Sequence, residues 1–328
     1  MQIHKILELI KNRKTKRVVL LGHINADPDA ICAAYAMAGL LRSLQPYLEV
    51  EISAPQGPSR LSSFLLNSLP AKLTTQPRIE DADIIVLLDT NTVQQLGNWS
   101  ERVQSSKAAL VVIDHHASHP ETENLATLTV ADEKASSTCE IVYRLFKEAN
   151  VSLSQDVAKA LFLGIAFDSR HFVLASSSTF KIVADLVDAG VRAEEALSLL
   201  SLPMDLSERI ARLKASKRVK VVKADEWLMA FSIVSAYQAS AARALISLGA
   251  HVAVVGGQKN DRIQVSMRAT RDFFEKTGVH LGRDVAKPLG EFLKGMGGGH
   301  SVSAGVNGVG DVEAGLRRCF RLLKDKLP

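Results

Sequence analysis

Aspartate and histidine gather at a few points of this sequence in a pattern suited to divalent-metal chemistry. Asp114-His115-His116 follows the apolar run Val111-Val112-Ile113 without a break, and His23-Ile24-Asn25-Ala26-Asp27-Pro28-Asp29 follows Val18-Val19-Leu20-Leu21-Gly22. Asp89 closes the run Ile84–Leu88, and the longer apolar stretch from Ala160 to Phe167 stops at Asp168. Carboxylate oxygens and imidazole nitrogens without cysteine suit manganese or magnesium, with imidazole moving the preference toward the transition series. If the first three runs are neighbouring parallel strands, all five carboxylates and the three histidines converge on one crevice. That set is enough for two ions about 3.5–4 Å apart that share a carboxylate, an arrangement that activates water for attack on phosphorus. Taken singly, each residue has an ordinary explanation, because a strand-end aspartate is often a helix cap and a lone histidine is usually a hydrogen-bonded core or surface group. Two dense clusters, each directly after an apolar strand, argue for a site.

The elements that must position these groups follow from periodicity. Residues 3–13 carry Ile3, Ile6, Leu7 and Ile10 at helical spacing, and Pro28 suits the first turn of a helix spelled out by Ala30 to Leu44. Leu48 to Ser53 reads as a strand and Arg60 to Leu66 as a helix. Ser136-Ser137-Thr138 offers an N-cap for a helix through Glu148, Ser154 caps the helix leading to Asp168, and Gly190 ends one from Ser178. Strands separated by helices predict a doubly wound parallel sheet over residues 1–191. A helical, charge-rich connector is expected over 192–216. The remaining 217–328 read as a smaller mixed-sheet α/β domain, with strands at Val219–Lys223, Trp227–Ile233, His251–Val255 and Arg262–Arg268 and helices near Ala239–Leu248, Leu281–Leu293 and Val312–Lys326. Gly295-Met296-Gly297-Gly298-Gly299-His300 is expected to be irregular, a stretch whose backbone N–H groups can approach an anion.

A chain of 328 residues with 47% hydrophobic content has room for two ordinary cores. No apolar run nears the roughly 18 residues of a spanning helix, and the N-terminus lacks the order of a secretory signal, so the expectation is a cytoplasmic protein without membrane contact. Cys32, Cys139 and Cys319 are isolated and odd in number, which indicates neither a disulfide framework nor a cysteine metal site. The formal charge of +5 is compatible with a polyanionic ligand but does not specify one.

Taken together, these motifs resemble the DHH phosphoesterase superfamily. His23-x-Asn25-x-Asp27-Pro28-Asp29-Ala30 is similar to its first motif, Leu88-Asp89-Thr90 to its second, Asp114-His115-His116 to its third and Phe167-Asp168-Ser169 to its fourth. Val265-Ser266-Met267-Arg268 and Gly297-Gly298-Gly299-His300, with Ala304-Gly305 after them, are similar to the signature of the associated DHHA1 domain. The resemblance implies one metal held by His23, Asp27 and Asp89 and a second held by Asp29, Asp89, His115 and Asp168, so that Asp89 bridges. It implies that Asp114 supports the histidines and that His116 faces the phosphate as a catalytic group. Arg268, His300 and glycines 297–299 would bind substrate, and Arg170, which stands where relatives often carry glycine, is weighed equally as a substrate contact or a solvated loop residue. The cofactors implied are two divalent ions, manganese first and magnesium as the alternative.

Within that family the compact length favours the nanoRNase branch: a phosphodiesterase acting on short oligonucleotides or linear dinucleotides such as pApA, with 3′-phosphoadenosine 5′-phosphate (pAp) or cyclic dinucleotides as further candidates. A homodimer is compatible with this reading. The alternatives are a RecJ-like single-strand exonuclease, a pyrophosphate or polyphosphate hydrolase and a non-catalytic nucleotide-binding scaffold.

Overall fold

The computed structural model describes residues 2–327 and divides the chain into two compact units, Met1–Leu202 and Pro203–Pro328. In the first, β1 (Arg17–Leu21), β2 (Glu49–Ser53), β3 (Ile84–Leu88), β4 (Ala109–Asp114) and β5 (Leu128–Ala131) form an all-parallel sheet in the order β2-β1-β3-β4-β5. The three apolar runs that precede the chemical motifs are therefore adjacent, and their C-terminal ends share one edge.

Helices cover both faces of this sheet, which explains why its central strands are apolar at every position rather than at alternate ones. Val18, Leu20, Ile84, Val86, Leu88, Val111 and Ile113 face the larger core. That core is built from α1 (Gln2–Asn12), α2 (Pro28–Leu44) and α3 (Arg60–Leu65) and, beyond α4 (Ser100–Gln104) and α5 (Pro120–Leu125), from α6 (Thr138–Glu148), α7 (Gln155–Asp168), α8 (Ser177–Asp188) and α9 (Ala193–Leu199). Val19, Leu21, Ile85, Leu87, Leu110 and Val112 face a smaller core with Leu96, Trp99 and Val103. α2 and α7 are apolar around most of their circumference, as expected of helices buried on several sides, and they pack against each other.

The second unit begins with α10 (Leu206–Lys217), so the stretch expected to act as a connector is two separate helices, α9 packed on α7 and α10 packed on α11 (Gln238–Ser247). Its strands are β6 (Lys220–Ala224), β7 (Trp227–Ile233), β8 (Val252–Lys259), β9 (Arg262–Ala269), β10 (Met296–Gly299) and β11 (Ser303–Val309), in the order β10-β11-β9-β8-β7-β6. The β7–β8 pair is parallel and the others are antiparallel. One face buries Ala230, Ala253 and Val255 beneath α10 and α11. The other buries Phe231, Val254, Val265 and Met267 beneath α12 (Arg271–Thr277), α13 (Lys287–Phe292) and α14 (Val312–Lys324).

Two expectations for this unit need correction. The helix expected from Leu281 starts as a π-helical turn, Leu281–Ala286, before α13. The glycine stretch is regular, because Met296–Gly299 is an edge strand paired antiparallel with β11. Close backbone contacts explain its composition: a Cβ on Gly297 would lie 1.8 Å from the Ala286 carbonyl oxygen, and one on Gly299 (φ 144°) 2.4 Å from that of Ser303. The lost β propensity is offset by ladder bonds that no bulkier residue could reach. No helix of the described residues is long and apolar enough to cross a membrane.

Gly164 in α7 tests the packing beneath the chemical edge. A Cβ there would lie 2.3 Å from Cys139 Sγ and 2.7 Å from Asp29 Oδ1. Overpacking of this kind costs about 1–3 kcal/mol, more than the roughly 0.5–1 kcal/mol that alanine gains as a helix former. Gly164→Ala should therefore lower the thermal midpoint of the metal-free protein in calorimetry, and an unchanged or raised midpoint would contradict the packing described.

Candidate metal centre

Each candidate side chain is delivered by the end of a regular element. β1 leads through Gly22 to His23, β3 to Asp89, and β4 ends on Asp114 before His115 and His116. Asp27 is the N-cap of α2, its Oδ1 accepting from the backbone N–H groups of Asp29 (3.0 Å) and Ala30 (3.2 Å), so the capping and the chemical readings of this residue hold together. Asp29 follows in the first turn, and Asp168 is the last residue of α7. Asp89 takes a left-handed φ of 53°, a conformation costing roughly 1–2 kcal/mol that aspartate tolerates better than most residues.

The donor atoms form three overlapping groups, each with all of its atoms within 4.8 Å of one another: His23, Asp27 and Asp89; Asp29, Asp89, His115 and Asp168; and Asp89, Asp114, His115 and His116. Asp89 belongs to all three. His23 Nε2 lies 3.8 Å from Asp27 Oδ1 and 3.9 Å from Asp89 Oδ2, while its Nδ1 lies 2.8 Å from the Ile24 carbonyl oxygen. That carbonyl can only accept, so it fixes a proton on Nδ1, and it is Nε2, facing the carboxylates, that offers a lone pair once the ring is neutral. His115 Nε2 is buried, 2.9 Å from Asp168 Oδ2 and 3.5 Å from Asp89 Oδ1, yet aligned for a hydrogen bond with neither. An orphaned imidazole nitrogen among carboxylates fits a metal ligand. The nearby thiols do not compete, since burial pushes both Cys32 and Cys139 well above the usual thiol range.

The electrostatics show what an ion would displace. The Asp27 carboxylate, working against burial, raises His23 to about 9. Burial lowers His115, but the Asp168 and Asp89 carboxylates beside its ring overcome this and carry it to about 11. Burial raises Asp29 and Asp89, and the neighbouring carboxylates add to it. Asp27 alone among these is held below the ordinary value, because the neighbouring His23 ring and the bonds from the backbone N–H groups outweigh burial. The metal-free cluster therefore stores protons.

His116 is distinct from the other two histidines. Its Nδ1 is 2.8 Å from Asp114 Oδ1, which also accepts the His116 backbone N–H at 2.8 Å, and its side chain is 53% exposed. Asp114, almost fully buried, thus orients His116 and raises its pKa. The second oxygen of Asp114 has no partner, and Asp114, His116 and His119 line a cavity of about 10 Å³, room for little more than one water.

The sequence reading treated residues 136–138 only as a helix cap and missed their contact with the cluster. The backbone N–H groups of Thr138 (2.6 Å) and Cys139 (3.1 Å), at the positive end of α6, donate to the Asp29 carboxylate, and Thr138 Oγ1 donates to Asp89 Oδ1 at 3.2 Å. Buried Glu140 braces this turn, accepting from the Ser136 N–H (3.0 Å) and hydroxyl (2.9 Å) and from Arg144. The spacing Ser137-x-x-Glu140 ahead of an apolar helix was the available signal, although here the carboxylate bonds Ser136 rather than the N-cap itself.

Arg170 is exposed, in a run of three left-handed residues with His171 and Phe172 (φ 52°, 55° and 69°), and no ion pair joins it to the cluster among the described residues. In the second unit, Arg268 on β9 pairs with Ser303 on β11, and the His300 N–H donates to the Ser303 carbonyl at 2.7 Å. Gly298, Gly305 and Ser266 lie in register across β10, β11 and β9, and a Cβ on Gly298 would meet nothing within 4 Å.

Residues 17–165 match the DHH family, N-terminal domain. An uncharacterized protein of Methanocaldococcus jannaschii is 34% identical over 304 residues, 92% of this chain and 90% of the relative. A probable manganese-dependent inorganic pyrophosphatase of Streptococcus thermophilus is 32% identical over 205 residues, 60% of this chain and 63% of the relative. Among solved structures, an exopolyphosphatase-related protein of Bacteroides fragilis has a TM-score of 0.65 at 18% identity, covering 99% of this chain and 96% of that one, a likeness of fold.

Two outcomes are expected. Because His23 and His115 are raised above the ordinary histidine value, their stabilisation of the metal-free protein is complete below about pH 6.5 and is lost as pH rises through their folded values of about 9 and 11. Metal uptake needs both rings neutral, so manganese binding near pH 7.5 should release protons and tighten as pH rises. Titration calorimetry in buffers of different ionisation enthalpy measures this, and buffer-independent heats would contradict it. Asp89→Ala should remove more bound manganese than any other single change, whereas His116→Ala should leave metal content near normal and lower kcat; loss of metal in His116→Ala would reverse the two histidine roles.

Proposed function

This chain belongs to the DHH family and is a metal-dependent phosphoesterase, and from that premise we propose that it cleaves short oligonucleotides or linear dinucleotides such as pApA to mononucleotides. His23, Asp27 and Asp89 would hold one divalent ion, and Asp29, Asp89, His115 and Asp168 the other. When bound, the pair supplies Lewis-acid activation of water and of the phosphoryl oxygens.

The chain's own groups do the rest. Asp114 fixes the His116 ring through Nδ1, leaving Nε2, at the far side of a half-exposed ring, to donate to a phosphoryl or leaving-group oxygen. The Thr138 hydroxyl and the α6 N-terminus hold Asp89 and Asp29 in place, which limits the reorganisation needed during the reaction.

The observation that carries the substrate class is the strip Gly298–Gly305–Ser266 in the second unit. Gly298 and Gly305 are exposed and carry no side chain, so a flat nucleotide can lie against the sheet beside the buried Ser266. Arg268, two residues along the register at Ser303, offers a fixed cation with a planar fork for a terminal phosphate, and His300 closes the same end. Such an anchor grips a terminal phosphate and the nucleotide attached to it, which favours substrates of a few nucleotides, while a longer strand gains no stacking platform or tracking groove from it. A second reading, hydrolysis of inorganic pyrophosphate, is favoured by the similarity to the probable manganese-dependent inorganic pyrophosphatase of Streptococcus thermophilus, of whose length the match spans 63%.

Rates with manganese-loaded protein on pApA, a five-nucleotide strand, a twenty-nucleotide strand, cyclic di-AMP, pAp and pyrophosphate separate these readings. The rate per molecule should fall with length, and Arg268→Ala should raise KM most for pApA with metal content unchanged. Faster degradation of the twenty-nucleotide strand would indicate a RecJ-like exonuclease, and faster turnover of pyrophosphate a pyrophosphatase.

A further inference from the structure

The second unit contains a cavity that the phosphoesterase chemistry does not use. It has a volume of about 590 Å³ and lies between the edge of the sheet at β6 and β7 and helix α14. Phe231, Leu316 and Phe320 contribute to its apolar floor, with the two rings edge to face at 5.9 Å between centroids. Phe231 and its β8 partner Val254 belong to the core beneath α14, whereas Ala253, which pairs with Arg268, belongs to the core on the opposite face. The cavity is therefore behind the sheet from the glycine strip.

Its rim is cationic. Arg218, Lys220 and Arg321 line it and are exposed, and Lys220 and Arg321 have no ion-pair partner among the described residues. The one carboxylate at the rim, Glu313, is already engaged by Arg317 at 3.4 Å. Unpaired cations around an aromatic floor repel one another and expose apolar surface, and a ligand with the opposite charge and a planar apolar body relieves both at once.

We propose that this cavity is a second ligand site, taking a nucleoside 5′-phosphate with its base against the Phe231–Phe320 floor and its phosphate on Lys220, Arg218 and Arg321. The volume lies within the range of small-molecule sites, roughly 300–1,000 Å³. Guanidinium groups match phosphate oxygens in pairs, and aromatic side chains accept any base by stacking. A fatty-acid anion is the poorer occupant, since one carboxylate answers only one of the three cations. This site is independent of the substrate strip, so it stands or falls separately from the proposed substrate class.

The test is titration of AMP into the full-length, metal-free chain by calorimetry, in the wild type, in Arg268→Ala, in the double variant Lys220→Glu, Arg321→Glu and in the triple variant that combines all three changes. Both rim positions are exposed, so the double variant should keep the wild-type thermal midpoint. The expected result is that Arg268→Ala still binds AMP at this site, that Lys220→Glu and Arg321→Glu weaken this binding at least tenfold in the triple variant, and that decanoate does not displace it. Absence of millimolar AMP binding to Arg268→Ala, an affinity unaffected by the rim substitutions, or displacement by decanoate at equal concentration would each overturn the proposal.

Discussion

The first unit is organised around the mutual repulsion of five carboxylates held at one sheet edge. Two such charges 4 Å apart repel by roughly 4 kcal/mol at an effective dielectric of 20, and Asp89 has several neighbours at about this range. A helix N-terminus offsets at most about 2 kcal/mol. Backbone donors alone therefore cannot stabilise the cluster as full anions. In the absence of cations it keeps protons on His23 and His115, and burial with the neighbouring carboxylates raises Asp29 and Asp89 above the usual carboxyl range. Divalent ions answer the same repulsion and release those protons, so metal affinity and the protonation of the cluster are two sides of one balance.

Much of the surrounding fold exists to hold these groups close despite that repulsion. Parallel strands bring three chain reversals to a single edge, and burial on both faces fixes their register. α6 then approaches from the side, with its N-terminal N–H groups on Asp29 and the Thr138 hydroxyl on Asp89. That approach requires Gly164, since any side chain there would occupy the space taken by Cys139 and the Asp29 carboxylate. A change in the packing of α7 is thus felt at the cluster without touching any donor atom directly.

The parallel sheet and the convergence of the motifs were legible because buried strands are apolar throughout and end abruptly on polar residues. Helix starts were legible where a serine or proline marks them, as at Pro28, Ser137 and Ser154. The glycine stretch was misjudged because strand propensity is outweighed there by close contact between backbones, and no local pattern shows that Gly297 lies against the Ala286 carbonyl. The role of Thr138 was hidden for a similar reason: a capping residue and a brace for a carboxylate 49 positions away have the same sequence signature. Charge did not identify the rim around Lys220 and Arg321, because solvated lysine and arginine runs look the same until an aromatic floor is found beneath them.

The central claim is that Asp89 is shared by two ions. Electron paramagnetic resonance of the protein at saturating manganese tests it directly, because two Mn(II) ions joined through a carboxylate are exchange-coupled while separate ions are not. The account predicts a coupled dinuclear signal in the wild type that disappears in Asp89→Ala. A wild-type spectrum containing only the six-line signal of isolated ions would contradict it.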